Sequence, residues 1–71
     1  MISTLIKKVR AELNDVYGIS AIGVTKNIIF IYVFDEYYKK MITDLLNEKL
    51  NNAEMDKIKI VVTGHIVPAV D

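Results

Sequence analysis

The chain has no cysteine, which excludes a disulfide framework, a thiolate metal site and thiol chemistry together. Its single histidine, His65, has no second His or Cys to join it, whereas zinc takes several protein ligands. Gly18, Gly23 and Gly64 are too scattered for a phosphate-cradling loop. Lys plus Arg number 9, as do Asp plus Glu. With no net charge, no global field concentrates a polyanion at the surface, so nucleic acid is a poor partner. The longest apolar run, 28–34, falls far short of the roughly 20 residues that cross a bilayer. Lys7, Lys8 and Arg10 break the apolar start before a signal-peptide core can form. These absences predict a cytoplasmic protein without a membrane partner or cofactor.

What is present is apolar and β-branched. A chain of 71 residues fits one domain, 1–71, and folding at that size buries only about 60% of the surface exposed when unfolded. Its core must therefore be dense, and an apolar fraction of 52% supplies the material. Ile2, Leu5, Ile6, Val9, Leu13 and Val16 recur at three- and four-residue steps, predicting a helix over about 3–16, with Ser3 or Thr4 as cap. Asn14, Asp15 and Gly18 favour its end. Residues 19–25 and 28–34 read as strands of a hairpin turned at Lys26 and Asn27. Lys fits the first position of a type I′ turn poorly, so the turn type stays open. Asp35 suits the N-cap of a second helix, 36–50, whose stripe is Tyr38, Met41, Ile42, Leu45, Leu46 and Leu50. Asn51 and Asn52 end it, a polar connection follows, and 57–63 is a third strand. Beyond Gly64, 65–71 reads as an extended tail, where Pro68 suits an edge or an end.

The order α-β-β-α-β predicts an α+β, two-layer sandwich. A hairpin makes strands one and two antiparallel, and a helical crossover makes strand three parallel to strand two. Strand two is then central, consistent with 28–34 being apolar throughout. A split, ferredoxin-like arrangement is the alternative, but its gap would leave ladder groups unpaired. Alternation sends Ile29, Ile31 and Val33 to the two helices, together with Ile22, Val24, Ile58, Ile60 and Val62. The opposite face then carries Phe30, Tyr32 and Phe34, flanked by Lys59 and Val61.

With both helices on one side, that aromatic face needs a cover. Burying three such rings is worth on the order of 10 kcal/mol before association costs. The tail can fold back, or helix one can sit on the far side. A second copy can interlock with the face, using the relief that small Ala21 and Gly23 provide. Unpaired bases can stack on it, although only Lys59 supplies charge there. The expectation we carry forward is a homodimer, or an interaction with another protein, through Phe30, Tyr32, Phe34, Lys59 and Val61.

Catalytic readings are weak. Ser3, Ser20 and His65 carry the letters of a nucleophilic triad without a nucleophile elbow. Asp35 and Glu36 are explained by the helix dipole. Lys7, Lys8, Arg10, Lys39 and Lys40 are interspersed with Glu12, Asp44 and Glu48, as on a solvated mixed face. Tyr17, Tyr37 and Tyr38 read as covers of core edges with wet hydroxyls. No enzyme is expected.

The strings V-Y-G-I-S-A-I-G-V (16–24), I-F-I-Y-V-F-D-E (29–36) and I-K-I-V-V-T-G-H-I (58–66) resemble a small αβ domain. That domain stands alone in archaea and precedes the catalytic domain of some bacterial trypsin-like peptidases. Strands reading G-x-G-V, V-Y-V and V-T-G recur in it. A helix over 36–50 replaces the short Pro- and Gly-containing link usual there. The resemblance implies an accessory or interaction role and no catalytic residue. The helix, strand, strand order is also similar to the propeptide-like inhibitors of subtilisin-type proteases. There 65–71 would be the segment entering a protease cleft, although the first strand of that fold is missing.

Overall fold

Leu5, Val9 and Leu13 are spaced four apart and become the buried stripe of the first helix, α1 (Ile2–Leu13), in a computed structural model that describes residues 2–64. The helix starts at Ile2. Ser3 and Thr4 thus lie within its first turn and are not its cap. It also stops three residues before Val16, whose N–H bonds the Leu13 carbonyl at 3.1 Å. The chain then turns through Gly18 at φ +101°, a conformation side chains resist.

Strands β1 (Ile19–Thr25) and β2 (Ile28–Val33) form the antiparallel hairpin. Lys26 and Asn27 both have positive φ, 48° and 67°, which makes the turn type I′ despite the lysine. Its twist matches that of the flanking strands. A register shift between Ile19 and Ala21 marks a bulge, where Ser20 Oγ donates to the Tyr32 carbonyl at 3.3 Å.

Asp35 caps α2 (Glu36–Lys49), its Oδ1 accepting from the Tyr38 N–H at 3.2 Å. The polar connection after it contains one unexpected helical turn, α3 (Asn52–Met55). Asn51 Oδ1 accepts from the Glu54 N–H at 2.8 Å, and Glu54 Oε1 accepts from the Asn51 N–H at 3.0 Å. This reciprocal box satisfies two otherwise orphaned donors. Lys8 Nζ lies 3.4 Å from Glu54 Oε2, linking α1 to α3 across a partly exposed surface.

β3 (Ile58–Val62) pairs parallel to β2, giving the sheet order β1-β2-β3. The split arrangement is thereby excluded. One cluster holds the buried core: Leu5, Val9 and Leu13 from α1, Ile42 and Leu46 from α2 with Leu50 after it, and Ile29, Ile31 and Val33 from β2. Both helices therefore cover the same face. Each of these side chains is worth about 1.5–3 kcal/mol when removed from water. Val24 departs from the expected core. It pairs with Ile29, so it shares the helical face, yet it remains 43% exposed at the hairpin end of the edge strand. The expectation of an extended tail over 65–71, with His65 and Pro68, falls outside the described residues.

Candidate interaction surface

Cross-strand register decides which side chains share the helix-free face. Tyr32 stands between Ala21 on β1 and Val61 on β3, and Phe30 between Gly23 and Lys59. Phe30 and Tyr32 lie 6.3 Å apart with their planes only 17° from parallel. The stacked rings shield each other and are half-buried, while Val61 is 37% exposed. Small Ala21 and Gly23 leave a trough on one side of the rings, and Lys59 is the cation aligned with Phe30.

Phe34 does not extend this row. β2 ends at Val33, and the Phe34 ring meets Tyr17 at 6.1 Å and Tyr38 at 6.5 Å, both edge-on. Tyr38 also contacts Tyr17 at 5.9 Å and Tyr37 at 5.2 Å. The expected single row is thus divided into a sheet-face pair and a four-ring cluster at the sheet end. The sequence groups Tyr17, Tyr37 and Tyr38 near helix ends as covers of core edges but assigns Phe34 to the sheet row, although its closeness to Tyr37 and Tyr38 in the chain was the available signal. Tyr17 and Tyr37 are 75% and 70% exposed, so their outer edges do face water.

Other places offer less chemistry. A cleft of about 190 Å³ lies between Thr4, Leu5 and the Asn51–Lys57 side, below the roughly 300 Å³ where ligand pockets begin, and a wider, open depression of about 370 Å³ between the end of α1 and Ile19–Ile22 has Arg10 as its one ionisable lining residue. Glu54 beside it has its pKa lowered, first by the Asn51 N–H and then by the Lys8 ammonium, against a partial desolvation that acts the other way. Among the described residues no group of His, Cys, Asp or Glu is arranged to hold a metal ion, and no helix is long and apolar enough to cross a membrane.

No protein family, curated protein or solved structure matches this chain. The functional reading consequently rests on the surface itself.

Proposed function

We propose that this chain is a non-catalytic interaction module that self-associates through the helix-free face of its sheet. Phe30, Tyr32 and Val61 form the apolar contact, with Lys59 at its margin. The observation carrying this reading is that α1 and α2 both pack against Ile29, Ile31 and Val33, leaving the alternate residues of the central strand without a helical layer among the described residues. Zero net charge removes the self-repulsion that keeps many proteins apart.

Size limits the affinity. Strands about 4.8 Å apart, rising about 3.3 Å per residue, give this face roughly 300 Å² in projection. A standard interface buries about 800 Å² per partner. A face-to-face pair of single copies is accordingly weak, and its mass must be followed up to millimolar concentration by sedimentation equilibrium. The expected result is a concentration-dependent mass that Tyr32→Ala shifts by about tenfold or more in Kd, as truncating a central aromatic anchor does. A strictly monomeric mass over that range overturns the proposal. Single-stranded nucleic acid is the competing occupant, because two stacked rings beside Lys59 offer a platform for bases. One cation supplies little of the usual phosphate attraction, and a low-salt gel shift with an oligonucleotide separates the two readings.

A further inference from the structure

The outer edge of β1 has no strand beside it among the described residues and presents a second surface, whose geometry follows from the hairpin. In a two-residue type I′ hairpin the residues flanking the loop form a hydrogen-bonded pair, and the pairs alternate from there. Thr25, Gly23 and Ala21 thus turn their backbone groups toward β2, while Ile22 and Val24 turn theirs outward. The opposite side of β2 agrees, since the Ile29 N–H bonds the Lys57 carbonyl at 2.7 Å, on the β3 side.

Four features of this edge stand together. Its seven residues, I-S-A-I-G-V-T, contain no charge and no proline, the usual guards against edge-to-edge pairing. The one bulge sits at the far end, between Ile19 and Ala21. Val24 is exposed on the helical face, where none of the described residues covers it. Gly23 is the fourth feature: a Cβ there would meet nothing within 4 Å, so packing within the described residues does not require glycine. A glycine in mid-strand weakens the strand, and such a residue often marks the close approach of another backbone.

We infer that β1 pairs antiparallel with β1 of a second copy about a two-fold axis at Gly23. Ile22 then exchanges both hydrogen bonds with Val24 of the other copy, and Val24 with its Ile22. Each exposed Val24 gains an isoleucine beside it on the helical face. The two glycines oppose each other in a non-hydrogen-bonded pair, where Cα atoms lie about 4.5 Å apart. The product is a continuous six-stranded sheet. Its pairing stands on the edge alone, but it bears on the proposed function because it doubles the helix-free face available for a further contact.

Cross-linking tests it in the intact chain, whose lack of cysteine makes single-cysteine variants unambiguous. Disulfides span Cα separations of about 4.4–6.8 Å, and two copies of residue 23 fall within that range. Two copies of residue 21 would lie about 14 Å apart, four residues along the strand. Under mild oxidation Gly23→Cys is expected to form covalent dimer at least about tenfold faster than Ala21→Cys, given that difference in reach. Adding Val24→Pro removes an outward N–H without touching the β1–β2 ladder, and is expected to abolish that advantage. Val24→Lys, which places an ammonium against the opposing Ile22, is expected to do the same and covers the case in which the proline variant does not fold. Equal cross-linking at positions 21 and 23, or an advantage that survives Val24→Lys, overturns the inference. Tyr32→Ala reports on the face independently: loss of association by that variant with no Gly23 cross-link would leave the face reading standing and the edge pairing refuted.

Discussion

Gly18→Ala probes the junction where α1, β1 and the aromatic cluster meet. A Cβ on Gly18 would stand 2.3 Å from both Cγ and Cδ1 of Tyr38 and 2.8 Å from Cδ2. Those atoms belong to the base of the ring rather than its tip, so relief requires the whole ring to move. Movement is opposed by edge-on contacts with Tyr17, Phe34 and Tyr37 and by the Asp35 cap on the Tyr38 N–H. Overpacking of this kind costs about 1–3 kcal/mol. The backbone adds its own share, because φ is +101° and an L side chain in left-handed conformations costs about 1–2 kcal/mol. Together they predict a loss of about 2–5 kcal/mol, out of a total stability of roughly 4–10 kcal/mol for a chain of this size. Urea unfolding followed by far-ultraviolet circular dichroism reads this as a midpoint lowered by about 2 M or more, at a slope of about 1 kcal/mol per molar. In a Tyr38→Ala background the clash is gone and only the backbone share should remain. A Gly18→Ala cost below about 0.5 kcal/mol would refute the backbone argument, and an equal cost in both backgrounds would refute the ring contact.

Two further outcomes follow from local geometry. Lys26 and Asn27 occupy left-handed conformations, so Lys26→Asn combined with Asn27→Gly supplies the preferred type I′ residues and should stabilise the protein by about 1 kcal/mol; an unchanged or lower melting temperature would contradict the turn assignment. Asn51→Ala removes the cap of α3 and should cost about 1 kcal/mol, as N-cap losses do. The pH dependence of the same box has a defined sign. Because the folded pKa of Glu54 is lowered, chiefly by the Asn51 N–H, its contribution is complete above the ordinary glutamate range and fades as pH falls through the lowered value. Protection of the α3 amides, expressed relative to their intrinsic exchange rates at each pH, should fall in that acid window in the wild type and show no such step in Glu54→Gln.

The sequence makes most of the fold legible because its local signals agree with one another. Residues 28–34 are apolar or aromatic throughout, which suits a strand paired along both edges, and β2 is indeed central, although burial alternates along it and only Ile29, Ile31 and Val33 are enclosed. Asp35 before the stripe of α2 marks its start for the physical reason later visible in its bond to Tyr38. The misses arise where geometry depends on distant groups. Alternation places Val24 on the helical face, but not under a helix. Thr4 and Leu5 of α1 lie near Lys57, whereas Arg10 and Leu13 lie near Ile19, so α1 runs obliquely and leaves the hairpin corner of that face bare. Parity likewise puts Phe34 with Phe30 and Tyr32, but the strand ends one residue earlier and Tyr17 and Tyr38 capture the ring. α3 was within reach of sequence reasoning, since Asn51 and Glu54 have capping-box spacing; its single turn carries no apolar periodicity to announce it.

The two proposed contacts share one physical origin. Helices pack about 10 Å apart, and three strands span about 15 Å, so two helices suffice to roof one side of this sheet. Both are used there, and among the described residues the reverse side is left to Phe30, Tyr32 and Val61. A parallel β3 closes the sheet on one flank with a lysine in its run, while β1 closes the other with uncharged residues and an unneeded glycine. The uncharged edge of β1 therefore lies between exposed Val24 on the helical side and the stacked rings on the other. Edge pairing extends the sheet without burying the rings, and face pairing buries the rings without using the edge. The two contacts are geometrically compatible, and the larger sheet formed by the first brings the second closer to the area that a stable interface requires.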